Sequence, residues 1–128
     1  MVSSQQYEEF VFPHDLALSK RYDRFGMHTC NWNCDAYAET IRKIENLGYL
    51  DTGMASNLKR LKEMFPHARR AVSFFPQDLV NKPMDELEQD VVRVKNEYAP
   101  CDIILADIDV EMPDGKVVEF WEMVAQNQ

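Results

Sequence analysis

Apolar and polar positions along the chain repeat a rhythm of short strand followed by amphipathic helix. Ser3 or Ser4 caps a first helix expected to run to about Tyr22, with Tyr7, Phe10, Val11, Leu16 and Leu18 as an imperfect apolar stripe and Pro13 as a kink. RFGMHTC (24–30) then reads as a strand. DAYAETIRKIENL (35–47) reads as a helix capped by Asp35, with Ala38, Ile41 and Ile44 on one face and Glu39 four residues before Lys43. LGYLDTG (47–53) is a second strand, and SNLKRLKEMF a helix capped by Ser56, with Leu58, Leu61 and Phe65 inward and Pro66 as its stop. RRAVSFF is a third strand. After a loop, PMDELEQDVVRVKNEYA (83–99) places Leu87, Val91, Val94 and Tyr98 on one side of a helix with acidic residues near its positive end. CDIILADI (101–108) is a nearly continuous apolar strand of the kind buried on both faces, and GKVVEFWEMVAQ a closing helix.

Four βα units in succession predict a parallel sheet with right-handed crossovers. Two architectures satisfy that pattern: four consecutive units of a (β/α)8 barrel, or an open doubly wound sheet. A complete barrel takes about 250 residues, so the barrel reading makes this chain one half, with two strand edges that invite pairing.

Composition narrows the function classes. With 128 residues, 45% of them apolar, the chain is expected to form one domain across residues 1–128. A formal net charge of -8 lacks the basic footprint that a phosphate backbone requires, which argues against nucleic acid. No apolar run approaches the roughly twenty residues of a membrane helix, and MVSSQQYEEF has no signal-peptide pattern, so a soluble cytoplasmic protein without a membrane partner is expected. Three cysteines are an odd count and point to reduced thiols or thiolate ligands rather than a disulfide framework.

The densest chemistry lies in GMHTCNWNCD (26–35), at the carboxyl end of the first strand, where both architectures place their functional groups. On a strand, residues two apart point the same way, about 6.6 Å apart, so His28 and Cys30 can offer an imidazole and a thiolate to one ion. That donor pair suits zinc better than magnesium or calcium. Cys34 is the next candidate by sequence, and Asp107 and Asp109, in ADID at the end of the fourth strand, are the candidates by topology. Cys101 starts that strand, roughly 20 Å from Asp107, and reads as packing. The opposing readings are a buried cysteine beside a hydrogen-bonded core histidine, or a redox pair of Cys30 and Cys34, whose spacing of four departs from the usual Cys-x-x-Cys. Asp51 ends the second strand and is a candidate substrate contact, or equally a turn residue before Thr-Gly. Phe74, Phe75, Phe120 and Trp121 read as core, and Asp85, Glu86, Glu88 and Asp90 as a solvated helix face. No catalytic residue is assigned.

Taken in order, QYEEFVFPHDLAL, GMHTC, LGYLDTG, RRAVSFFPQDLVNKPMDELEQDV and CDIILADIDVEMPDGKV resemble the carboxyl-terminal half of the uroporphyrinogen decarboxylase superfamily. The nearest branch is the corrinoid-dependent methyltransferases of the methylcobalamin:coenzyme M type, with His-x-Cys as the most specific element. The resemblance implies half of a (β/α)8 barrel in which zinc, held by His28, Cys30 and a third ligand falling at Asp107, activates a thiol for methyl transfer to or from a corrinoid. The family has cysteine at that third position, and Asn31 stands where a glycine commonly follows the motif. The family's amino-terminal half, with the decarboxylase branch's arginine and aspartate, has no counterpart in these residues. The implied partners are a corrinoid or corrinoid protein, a small thiol or other methyl acceptor, and either a second copy of the chain or a missing half-barrel. Two rival expectations stand beside this one: a decarboxylase-like tetrapyrrole site, and a non-catalytic truncated domain that dimerises.

Overall fold

The computed structural model describes residues 2–127. The first helix is continuous but changes register, from α1 (Ser4–Gln6) through one π-helical turn (Tyr7–Val11) to α2 (Phe12–Ser19). Ser3 caps it: its hydroxyl accepts from Gln6 N–H while the Gln6 side chain accepts from Ser3 N–H. Just before Pro13, which has no N–H to give, the wider turn carries the Phe12 N–H back to the Tyr7 carbonyl.

Then follow β1 (Phe25–Met27), α3 (Ala38–Ile41), β2 (Leu47–Gly53), α4 (Leu58–Met64), β3 (Arg69–Phe74), α5 (Pro76–Asn81), α6 (Met84–Glu97), β4 (Asp102–Leu105) and α7 (Asp114–Gln126). The four strands form one parallel sheet in the order β1-β2-β3-β4, so each crossover advances one strand in the same direction. The expected parallel α/β architecture is present. The order contains no reversal, so these four strands make no switch-point crevice.

A sheet wound in one direction collects its helices on one face, and the burial pattern agrees. Leu50 of β2 and Val72 and Phe74 of β3 share a single core cluster with Ala38 and Ile41 of α3, Leu58 and Leu61 of α4, Leu87, Val91 and Val94 of α6, and Phe120 and Val124 of α7. Phe74 and Phe120 meet edge to face at 5.2 Å. Each such large side chain withdrawn from water contributes roughly 1.5–3 kcal/mol before entropy is counted. The intervening strand positions Tyr49, Asp51, Ala71, Ser73, Asp102 and Ile104 lie outside that cluster, on the opposite face. Across its amino end Arg69 grips Asp102 with two hydrogen bonds, 2.6 and 2.9 Å.

Several elements are shorter than the sequence pattern predicts. The first strand stops at Met27, before His28 and Cys30. The helix expected over 35–47 is a single α-turn continued by tighter turns, in which Lys43 N–H donates to Thr40 and Ile44 N–H to Ile41. Such i to i+3 turns eclipse every third residue, which seats Ala38, Ile41 and Ile44 together in the core. Asp35 does not cap it; its carboxylate accepts the N–H of Asn57. Glu39 pairs with Arg60 rather than Lys43, and Lys43 with Glu8. Asn57, not Ser56, caps α4, accepting from Arg60 N–H at 3.1 Å. The fourth strand spans four residues, all half-buried, because it stands at the edge of the sheet. The segment expected as a loop after β3 holds α5, started by Pro76 and anchored by buried Leu79.

Candidate functional site

The carboxyl end of β2 is built around one carboxylate. Asp51 is 1% exposed, and both its oxygens accept from the loop that follows β1. Thr29 N–H donates to Oδ1 at 2.5 Å, Cys30 N–H donates to the same oxygen at 3.1 Å, and His28 Nδ1 pairs with Oδ2. The Thr29 hydroxyl completes the clasp by donating to the Asp51 carbonyl at 2.7 Å. A buried carboxylate is costly unless hydrogen-bonded, and three donors on two oxygens meet that requirement with charge-assisted bonds.

The clasp explains why the strand ends early. The N–H groups of Thr29 and Cys30 bond to a side chain instead of extending the ladder, the competition that short polar side chains offer to secondary structure. Cys30 adopts a left-handed backbone, φ 57°, which costs a non-glycine residue roughly 1–2 kcal/mol. The Asp51 bond offsets part of it. Downstream, Asn31 and Trp32 cross over the end of β2: Gly53 N–H donates to the Trp32 carbonyl at 2.9 Å, and a Cβ on Gly53 would stand 2.0 Å from the Asn31 carbonyl oxygen. Glycine is required there by close approach of two backbones.

The result is an oriented imidazole. Because the Asp51 oxygens act as acceptors, Nδ1 is the ring nitrogen that donates to them, and Nε2 is the one directed away from the clasp. The His28 side chain is 69% exposed, so its outer nitrogen is open to a ligand. Tyr49 stands on the same face of β2, and burial, followed by the charges of Asp51 and Asp102, raises its phenol above the ordinary value. Neither Asp51 as the organiser nor Tyr49 as its neighbour follows from motif spacing. The alternation of β2 could have found them, since 49 and 51 share a face.

The remaining candidates are scattered. Cys34 is buried on the helix side, where its sulfur accepts from the Thr52 hydroxyl at 3.2 Å and its N–H donates to Ser56 Oγ at 3.1 Å; burial raises its thiol. Cys101 packs against the core, its thiol pushed up to about 11 by burial. Asp107 lies past β4 with φ 56°, and Asp109 accepts from Glu111 N–H in an exposed turn. Three interstrand spacings of about 4.8 Å set the first and fourth strand axes roughly 14 Å apart. Among the described residues no three His, Cys, Asp or Glu side chains form a cluster able to hold a metal ion, so His28, Cys30 and Asp107 are not assembled into one. Among the same residues, no helix is long and apolar enough to cross a membrane.

No family model, curated protein or solved structure matches the chain.

Proposed function

We propose that the chain is a zinc-dependent, methyltransferase-like half-barrel domain that moves a methyl group between a corrinoid and a thiol or similar acceptor. The observation that carries the reading is the shared support of His28 and Cys30 by Asp51. A metal-ligating histidine almost always gives its other ring nitrogen to a carboxylate or carbonyl, which fixes the tautomer and raises ligand basicity. His28 has that arrangement, with Nε2 outward.

The donor chemistry fits zinc in kind, an imidazole nitrogen and a thiol sulfur on one loop. Asp107 is the proposed third ligand; it lies past β4, unassembled with His28 and Cys30, so metal binding would have to draw that loop in. When bound, zinc supplies the Lewis acidity that removes the proton of a substrate thiol at neutral pH. The chain's own part is positional. Asp51 fixes the orientation of the imidazole, the loop from His28 to Trp32 crosses the end of β2, and the other half of a barrel would come from a second copy or a further segment.

Metal analysis after zinc loading at neutral pH tests the reading. The expected result is about one zinc per chain, abolished by His28→Ala and weakened roughly 10–100-fold by Asp51→Asn, which removes the supporting charge but keeps the shape. Protein that stays zinc-free, or His28→Ala that loads normally, overturns it.

A further inference from the structure

Beside His28, between the first helix, β1 and α3, lies a cavity of about 290 Å³. Its lining is largely aromatic and apolar: Tyr7, Trp32 and Tyr37, with Met27 and Ile41. The two phenols direct their hydroxyls to other partners, Tyr7 donating to Asp15 at 2.8 Å and Tyr37 to the Val2 carbonyl at 2.6 Å. What they offer a ligand is ring surface. Among the lining side chains His28 offers an exposed imidazole nitrogen, while the Thr29 hydroxyl is engaged with the Asp51 carbonyl. Trp32 is 53% exposed, so its ring is accessible to a ligand in this cavity.

We infer that this cavity binds the apolar body of a small amphipathic ligand whose polar head, a thiol or hydroxyl, sits at His28 Nε2. The volume is at the small end for ligand sites, which limits the body to a short alkyl chain or a single ring. The exposed imidazole sets the direction: head at His28, body against the aromatic side chains. The inference rests on the reading of His28 as a ligand-facing group and adds to it the class of acceptor.

Calorimetric titration with straight-chain alcohols of two to six carbons, using zinc-free protein, tests the cavity apart from the metal. Each methylene should tighten binding about fourfold, and Trp32→Ala, a change at an exposed position that leaves the core intact, should flatten the dependence. The corresponding thiols are then compared with the alcohols in zinc-loaded protein; a preference for thiol should appear there and vanish in His28→Ala, while the gain per methylene persists. An affinity that does not rise with chain length, or that Trp32→Ala leaves unchanged, overturns the inference and leaves the metal reading standing. A normal chain-length dependence without any thiol preference overturns the zinc reading alone.

Discussion

At the scale of single residues, the rim is organised by contacts between positions more than twenty apart in sequence. Gly53 shows how narrow the tolerance is. Its hydrogen faces the Asn31 carbonyl, and a methyl group there would collide with backbone rather than with a side chain that can swing away. Gly53→Ala should therefore destabilise the protein by roughly 1–3 kcal/mol, read as a lowered midpoint in urea, and should release the loop carrying His28; an unchanged midpoint would mean that the loop does not rest on β2. His28 stood out in the sequence because His-x-Cys is a recognisable pair. The strand geometry used to pair it with Cys30 was not, since Asp51 takes the N–H groups that would have continued the ladder. Side-chain competition of that kind leaves no periodic mark.

Helices and strands repeat the lesson at the next scale. The second and third strands fall where their apolar runs place them, because both are central and their helix-side residues are fully buried. Edge elements departed from pattern. The first strand is cut short by the clasp, and the fourth is only half-buried, a run of Ile and Leu that alone looks buried on both faces. The six residues of α5 are too few to carry a helical period, with only Pro76 and Leu79 buried. Ser56 and Asn57 are both competent caps, and the choice is tertiary: Ser56 Oγ lies 2.6 Å from Thr52 Oγ1 in the interior, which leaves the cap to Asn57. Asn57→Ala should accordingly cost about 1 kcal/mol, while Ser56→Ala should act through the buried Thr52 and Cys34 contacts. Thermal unfolding of the two variants with Asp35→Asn, whose side chain also reaches Asn57, checks this: Asn57→Ala and Asp35→Asn should be non-additive, because they share one helix start.

For the whole molecule, the consequence of one-directional winding is a sheet with an apolar side under helices and a polar side without them. Arg69 and Asp102 span that polar side. The guanidinium hydrogen bonds and charge hold the Asp102 carboxyl below its ordinary value. A carboxyl depressed in the folded state stabilises above its unfolded pKa, about 4, and the benefit fades as pH falls through the folded value. The difference in urea midpoint between the native chain and Asp102→Asn should thus be constant above pH 5 and shrink below pH 4. A difference that holds steady down to pH 2 would show that the pair does not couple to folding. Because Arg69 is largely exposed and Asp102 is only half-buried, the effect is small and weakens with salt. The parallel α/β class was readable from four repeats of the strand and helix rhythm; the strand order was not, since it depends on where each crossover lands.

The two outermost strands carry a practical consequence. Each turns one row of backbone amides and carbonyls outward with no neighbouring strand among the described residues, and rows of that kind recruit whatever extended peptide they meet. At high concentration or on warming, this chain's failure is therefore expected to begin as lateral growth of its sheet, and a lysine or proline placed on the outer side of β4 would be the first change to make in keeping it dispersed.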